Sequence, residues 1–169
     1  MPHDNPVRIV EWRGRVSQGF GIASGRDGRA LGLQEGTLAC QAPVFLVRGW
    51  DLAREIPGYR HGTINVRLDR PLRLARPDIT LSDVDWAPPH LRTHFPPESF
   101  SFTRCSLFHA SCFVAGIIYY PRPETKPSVN SHDHCILEVI APDIEGLRYD
   151  DPISVICRSD AFVEASKAD

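Results

Sequence analysis

The sequence lacks long hydrophobic runs, which limits where the protein is expected to reside. Its longest apolar run, residues 112–120, is far shorter than the roughly 20 residues that a helix needs to cross a bilayer. The first five residues, M-P-H-D-N, contain no basic region followed by an apolar segment, so no signal peptide is expected. We therefore expect a cytoplasmic protein that has no contact with a membrane.

A strong net charge and closely spaced cysteine pairs are also missing. The formal net charge is −2, which gives no basis for a general affinity for nucleic acid or for an anionic membrane. The five cysteines, at positions 40, 105, 112, 135 and 157, include no C-x-x-C pair. This pattern favours reduced thiols, mostly in the core, over disulfides or a structural zinc site.

Proline and glycine are abundant and indicate the fold class. Fifteen prolines and twelve glycines interrupt the 169 residues at short intervals, which suits short strands and turns better than long helices. We predict a single, mainly β domain over residues 1–169, with one or two short helices. A small closed barrel of six to eight strands is favoured because closure removes exposed sheet edges.

The pattern of apolar residues assigns the elements. Strands are predicted at residues 8–16, 63–68, 100–108, 112–120, 136–141 and 153–157, with a hairpin turn at 109–111. Residues 36–47 are predicted to form a strand or hairpin interrupted at Pro43, and residues 49–56 a short helix. Residues 70–97 are predicted to be a proline-rich excursion, residues 121–131 a loop, and residues 160–169 a frayed tail or a single helical turn.

The rest of the chain is organised around residues 61–69, which read H-G-T-I-N-V-R-L-D. Apolar and polar residues alternate there, as in a half-buried strand. Thr63 and Asn65 therefore face the same way, roughly 6.6 Å apart along the strand. Both side-chain oxygens can then reach one hard cation or one polar ligand group. The alternative is a strand with two ordinary polar residues on its solvent face.

Residues 17–25, S-Q-G-F-G-I-A-S-G, form a glycine-rich segment. Glycines let successive backbone N–H groups point into one concavity, as phosphate binding requires. The segment is not a Walker A loop because no G-K-[ST] follows, and it does not lead into an obvious helix as a dinucleotide fingerprint would. It fits either a phosphate-binding loop or a glycine-rich hairpin turn.

Two further places can carry chemistry. Glu138 lies in an apolar strand, which normally excludes a charge unless the charge is paired with an arginine or aimed into a pocket as a base. His132 and His134 lie two apart on an extended segment and can share a face toward a transition metal. Such a site needs at least one further ligand, which the spacing of the other histidines does not identify. A polar loop rim is the alternative for this pair.

Several of these motifs occur together in one known family. The glycine segment G-R-V-S-Q-G-F-G starts at Gly14, G-T-I-N-V-R-L-D starts at Gly62, and E-V-I-A-P starts at Glu138. A histidine-containing loop at His132 precedes the last motif, and residues 147–153 follow it as a turn into the last strand. In this order the chain resembles the archaeal-type, CTP-dependent riboflavin kinases, which have a small cradle-loop β-barrel. The match is patchwise over most of the chain.

The resemblance implies a role for each matched position. It implies that Thr63 and Asn65 coordinate Mg²⁺, and that Glu138 and Asn130 contact the flavin. It implies that the nucleotide, CTP or another nucleoside triphosphate, is held by two segments: Gly19, Phe20, Gly21, Ile22, Ala23 and Ser24 on the phosphates, and Asp143, Ile144, Glu145 and Gly146 on the cytidine side. The family has a Glu-Gly pair where this chain has Ile22 and Ala23, and a short basic helix where this chain has the acidic segment 143–146.

Three functions follow as hypotheses. The first is a Mg²⁺-dependent kinase that transfers a phosphoryl group to riboflavin or a similar polyol and gives FMN, with Glu138 as the catalytic carboxylate. The second is a barrel of the same fold that binds a ligand or a protein without catalysis. The third is a metal-dependent β-barrel enzyme that uses His132 and His134.

Overall fold

The computed structural model of the chain describes residues 8–19, 33, 35–125 and 133–165. Two α-helices and nine strands lie in these ranges, together with two short 3₁₀ turns at Pro89–Leu91 and Pro123–Thr125. The helices are α1 (Thr37–Val47) and α2 (Leu52–Glu55). The strands are β1 (Ile9–Ser17), β2 (Ile64–Leu68), β3 (Leu72–Leu74), β4 (Ile79–Val84), β5 (Glu98–His109), β6 (Cys112–Pro121), β7 (Ile136–Ile140), β8 (Pro152–Arg158) and β9 (Phe162–Glu164).

Six of the strands close into a barrel, which confirms the predicted fold class. The strand order is β5-β6-β7-β2-β1-β8, and β8 returns to pair with β5, all neighbours being antiparallel. β4 is an extra strand outside the closed ring, and β3 and β9 form a separate two-stranded sheet. Closure leaves the six barrel strands without an unpaired edge over their shared length.

The long strand β5 explains how one sheet serves both the barrel and its extra strand. Its first part, residues 98–102, pairs with β4, whereas residues 106–108 pair with β8. β5 and β6 are joined by the predicted hairpin turn, where Ala110 and Ser111 have positive φ angles of 47° and 66°. The N-terminal part of β5 therefore carries the extra strand β4, and its C-terminal part closes the barrel by pairing with β8.

The barrel wall separates two apolar cores. The barrel core fills the interior and contains Val16, Ile64, Val66, Leu107, Ile118, Leu137, Val139 and Val155 among others. The outer core lies between the outer face of β4, β5 and β6 and the elements α1, α2 and residues 86–95, and it includes Phe45, Trp50, Leu52, Phe100, Phe102, Ile117 and Tyr119. Residues on the outer face of the barrel can therefore be buried as deeply as those inside it.

The prediction of a strand or hairpin at residues 36–47 is wrong, because residues 37–47 form α1 with Pro43 inside it. Leu38, Gln41 and Phe45 are buried at spacings of three and four residues, which is the helical period. Phe45 is fully buried and packs edge-on against Phe100 and Phe102. This burial outweighs the cost of one proline within the helix.

The prediction for the tail is also wrong where the structure describes it. Residues 162–164 form β9, which pairs with β3 from the proline-rich excursion. Phe162 is buried in the barrel core, and this burial holds the tail against the domain. The excursion 70–97 therefore contains β3 and β4 and contributes to both sheets.

Two predictions about helices and cysteines have mixed outcomes. The predicted short helix at residues 49–56 is present as α2, whose first turn is capped by Asp51 Oδ1 accepting from Ala53 N and Arg54 N. All five cysteines are free, as predicted, but only Cys157 is buried, and Cys112 is exposed. Among the described residues, no helix combines the length and apolar character that crossing a bilayer requires.

Candidate functional site

Four residues of adjacent strands form a row on the outer face of the barrel. Ser17 is paired with Asn65, Asn65 with Glu138, and Glu138 with Tyr119, so the row crosses β1, β2, β7 and β6. Side chains of directly opposed residues project to the same face of a sheet. Their neighbours, such as Val66, fill the barrel core, which places the row outside it. We call Ser17, Asn65, Glu138 and Tyr119 the polar row.

Thr63 belongs to the same face, two residues before Asn65. Its hydroxyl donates a hydrogen bond to Glu138 Oε2 at 3.4 Å, and its side chain is almost fully buried, with 8% of the residue exposed. Glu138 is half-buried. The structure therefore brings Thr63, Asn65 and Glu138 together, although 75 positions separate Thr63 from Glu138 in the sequence.

Gly19 lies directly against Asn65. A Cβ atom at this position would overlap the Asn65 amide nitrogen and come within 2.8 Å of Asn65 Cγ, closer than real Cβ atoms approach their neighbours. Any larger residue at this position would therefore require the Asn65 side chain to move. The first residue of the predicted phosphate loop thus borders the polar row, whereas Phe20, Gly21, Ile22, Ala23 and Ser24 lie outside the described residues.

Tyr119 ends the polar row in the outer core, where its hydroxyl donates to Gln41 Oε1 at 2.9 Å. Gln41 is buried on α1. Burial raises the pKa of the Tyr119 hydroxyl well above its ordinary value, and the charges of Glu138 and Glu98 raise it further, whereas the bond to Gln41 lowers it. This pair ties α1, which follows the glycine segment in the chain, to the strand beside Glu138.

Ser17 opens the polar row at its other end. Its hydroxyl oxygen is buried and has no hydrogen-bond partner among the residues that the structure describes. A buried hydroxyl usually finds a partner, since leaving it unpaired costs free energy. Ser17 Oγ is therefore a buried polar atom of the row whose hydrogen-bonding capacity is not used by the described residues.

The segment 143–146 approaches the site from the side of Thr63. Arg60 donates from Nη2 to the Thr63 carbonyl oxygen at 3.4 Å, and Arg60 Nη1 lies 3.7 Å from Asp143 Oδ1. Ile144 packs partly against the barrel core, and Gly146, with a φ angle of 76°, forms the turn in which Leu147 N donates to the Ile144 carbonyl oxygen. Glu145 is exposed beside them. Arg60 thus links Asp143 of this segment to Thr63.

Of the remaining predicted residues, His134 lies in the described part of the chain, and it contacts β3. His134 is held against β3, because its carbonyl oxygen accepts from Leu72 N at 2.8 Å and its Nδ1 lies 3.3 Å from the Leu72 carbonyl oxygen. His132 and Asn130 lie outside the described residues. Within the part of the chain that the structure describes, no three His, Cys, Asp or Glu side chains are arranged to hold a metal ion.

The side chains around Thr63 fit a magnesium ion in chemical type. Mg²⁺ prefers oxygen ligands and commonly keeps several waters while one or two protein groups and the substrate phosphates complete its shell. Thr63 supplies a hydroxyl, Asn65 an amide oxygen and Glu138 a carboxylate, all on one face of two adjacent strands. The three groups could hold the ion only together with phosphate oxygens.

Arg60, Gln41, Tyr119 and Ser17 were not identified by sequence reasoning. Each acquires its position through contacts between residues far apart in the chain, such as the 78 positions between Gln41 and Tyr119. One signal was available: Tyr119 and Glu138 are polar residues in otherwise apolar strands, and such residues tend to occur close to one another.

The comparisons with known proteins leave the family open. Neither the protein-family models nor the curated proteins contain a match to this chain. The resemblance to CTP-dependent riboflavin kinases therefore rests on the motifs alone and stays a prediction.

Proposed function

We propose that the protein is a Mg²⁺-dependent small-molecule kinase that transfers the terminal phosphoryl group of a nucleoside triphosphate, CTP in the first instance, to the 5′-hydroxyl of riboflavin. The observation that supports this most directly is the contact between Thr63 and Glu138 beside Asn65 and Gly19. A hydroxyl, an amide, a carboxylate and a glycine backbone at one place are the groups that phosphoryl transfer uses.

In this proposal each group has one task. Glu138 accepts the hydrogen bond of the attacking hydroxyl and takes its proton as the oxygen bonds to the terminal phosphorus. The bond from that phosphorus to the bridging oxygen breaks, and the nucleoside diphosphate leaves with the electron pair. The backbone at Gly19 faces the phosphates. Bound Mg²⁺ would neutralise charge on the phosphate oxygens between Thr63 and Asn65.

The direct test is an FMN assay. Purified protein is incubated with riboflavin, Mg²⁺ and CTP, ATP or GTP, and FMN is separated by chromatography. We expect FMN with at least one donor and none without Mg²⁺. Riboflavin binding without FMN from any donor would replace the kinase with the ligand-binding barrel. Tightly bound iron, zinc or manganese that is lost on replacing both His132 and His134 by alanine would instead favour the metal-dependent enzyme.

A double variant tests the metal assignment. Thr63→Ala with Asn65→Ala should abolish turnover and leave riboflavin binding intact, because the ligands of the cation are removed while the Glu138 carboxylate, which contacts the flavin in this proposal, is kept. Thr80→Ala is the control, since Thr80 on the extra strand β4 is also a strand threonine whose hydroxyl lies within hydrogen-bond distance of another side chain, Ser101 on β5. Unchanged turnover in the double variant would remove Thr63 and Asn65 from the site.

A single variant tests Glu138. Glu138→Gln keeps the shape and removes the base, so we expect turnover to fall by about 10²–10⁴-fold, the usual contribution of a general base. Flavin affinity should also weaken, as measured by quenching of riboflavin fluorescence. If neither quantity changes, Glu138 is a structural partner of Thr63.

A further inference from the structure

Arg60 is a cation beside the candidate site that neither the motifs nor the resemblance assigns. Its Nη2 lies 3.4 Å from the carbonyl oxygen of Thr63, the residue whose hydroxyl contacts Glu138. The backbone fixes this position, because Arg60 N donates to the Ala141 carbonyl oxygen at 3.1 Å and Tyr59 bridges to Pro142. Arg60 is thus anchored both to the start of β2 and to the segment that follows β7.

The contacts that the Arg60 guanidinium group makes with Thr63 and Asp143 are long. The hydrogen bond to Thr63 is at the limit of hydrogen-bond distance, and the ion pair with Asp143 spans 3.7 Å between side chains that are 41% and 86% exposed. An exposed ion pair of this kind contributes little, and water or another anion can replace either partner. Arginine matches a phosphate with two parallel hydrogen bonds, which are shorter and stronger than these contacts.

We propose that Arg60 binds the terminal phosphate of the nucleotide, and that Asp143 is the weakly held counter-ion that the phosphate displaces. This inference rests on the proposed kinase function and deepens it. Asp143 then has a different role from the cytidine contact that the resemblance implies. The negative charge of Asp143 near the triphosphate is then balanced by the positive charge of Arg60.

The same guanidinium group would act during transfer. Negative charge is spread over the oxygens of the phosphoryl group while the hydroxyl oxygen bonds to phosphorus and the bridging oxygen leaves. Arg60 would donate hydrogen bonds to these oxygens and release Asp143 to solvent. It takes no part in bond making, and the proton of the hydroxyl goes to Glu138.

The test measures anion binding separately from catalysis. Inorganic tripolyphosphate, with and without Mg²⁺, is titrated into wild type, Arg60→Ala, Arg60→Lys and Arg92→Ala by calorimetry. Arg92 is the matched control, because it is also an exposed arginine paired with an exposed aspartate, Asp85, at 3.1 Å. We expect Arg60→Ala to weaken tripolyphosphate binding at least about 10-fold, Arg60→Lys less, and Arg92→Ala not at all. Thermal unfolding verifies that each variant is folded.

Turnover then separates this inference from the kinase proposal. If wild type makes FMN, Arg60→Ala should lower kcat by at least about 100-fold and leave the KM for riboflavin unchanged, because an arginine at the transferring phosphate commonly contributes more than this. FMN formation with equal kcat in the Arg60→Ala and Arg92→Ala variants would overturn the role of Arg60 and leave the kinase standing. Without FMN, loss of tripolyphosphate binding in Arg60→Ala alone would preserve the anion site and reject the kinase. Equal tripolyphosphate binding in all variants would reject the anion site.

Replacement of Asp143 should have the opposite effect on tripolyphosphate affinity from replacement of Arg60. Asp143→Asn removes the competing anion and keeps the shape, so we expect tripolyphosphate to bind about 2–5-fold more tightly at low salt, with the gain shrinking as salt is raised. A merely structural ion pair would give the reverse, because loss of Asp143 would then displace Arg60 and weaken binding.

Discussion

Tyr119 carries a buried hydroxyl group that connects α1 to the strand beside Glu138. Its bond to Gln41 joins two residues that are 5% and 2% exposed, so neither polar group can turn to water when the other is removed. The cost of such a loss falls mainly on the group that stays behind. Tyr119 therefore affects both the stability of the outer core and the placement of α1 against the polar row.

We predict that Tyr119→Phe destabilises the protein by about 1–3 kcal/mol at neutral pH, because Gln41 Oε1 loses this donor. The raised pKa keeps Tyr119 neutral in the folded state, so its contribution is intact below about pH 10 and is lost as the pH rises further, where unfolded tyrosine ionises. The difference from wild type in urea unfolding should therefore shrink between pH 9 and 11. The exposed Tyr149→Phe should show no difference. A constant gap across this range would contradict the assignment.

Two glycines on β1 and just beyond it make close contacts of different kinds. A Cβ at Gly14 would overlap the backbone oxygen of Arg67 on β2 and lie 2.8 Å from Val66 Cγ1, so the obstacle is the sheet itself. A Cβ at Gly19 would meet only the end of the Asn65 side chain, which can move aside. The first contact concerns stability and the second concerns the site.

We predict that Gly14→Ala lowers the free energy of unfolding by about 1–3 kcal/mol, as overpacking usually does. Gly19→Ala should change it by less than about 1 kcal/mol while displacing Asn65 and lowering turnover. Thermal unfolding and the FMN assay on both variants measure the two effects. Equal losses of stability in the two variants would contradict this separation.

At the scale of elements, the strands that alternate clearly were predictable. β2 and the β5–β6 hairpin have clear periods or turn residues, so their residues lie where the sequence placed them. α1 was not, because Pro43, a residue that disfavours a helix interior, interrupts the helical spacing of Leu38, Gln41 and Phe45. β9 has three residues, too few for a period, and exists by pairing with β3.

The candidate site was predictable only in part, for a related reason. Thr63 and Asn65 are neighbours on one strand, so their shared face follows from local spacing. The approach of Glu138 and Gly19 depends on which strands are adjacent and in which register, and the local pattern does not contain this information. Arg60 and Asp143 meet through segments outside the strands, where no period applies.

The proline inside α1 gives a prediction for that element. Pro43 is exposed and has no N–H to bond the carbonyl oxygen one turn earlier. Proline costs about 3 kcal/mol relative to alanine within a helix, and its restriction of the unfolded chain returns about 0.4–1 kcal/mol. We predict that Pro43→Ala stabilises the protein by about 1–2 kcal/mol in urea unfolding. Pro57→Ala, in the exposed turn after α2, is the control and should not stabilise. A less stable Pro43→Ala protein would contradict the helix.

For the whole molecule, both cores contribute to stability, and the outer core also supports the buried end of the polar row. The barrel closes where three residues of β5, Ser106 to Phe108, pair with β8, and Leu107 is fully buried there. The polar row lies on β1, β2, β7 and β6, and its buried end rests on the outer core with α1. Substitutions that weaken the β5–β8 pairing and substitutions in the outer core should therefore have different effects on the candidate site.

We predict that Leu107→Ala and Phe45→Ala have comparable costs in stability, about 2–5 and 3–5 kcal/mol respectively, because each deletes a fully buried side chain. Well below the unfolding temperature, Leu107→Ala should bind riboflavin and tripolyphosphate within about twofold of wild type, since the strands of the polar row keep their register. Phe45→Ala should weaken riboflavin binding, because Phe45 lies one turn after Gln41 on α1 and its loss loosens the helix that holds Tyr119. Unfolding in urea and fluorescence titration at the same low temperature measure the two quantities. Equal losses of affinity would mean that the site depends on barrel closure as a whole and not on α1.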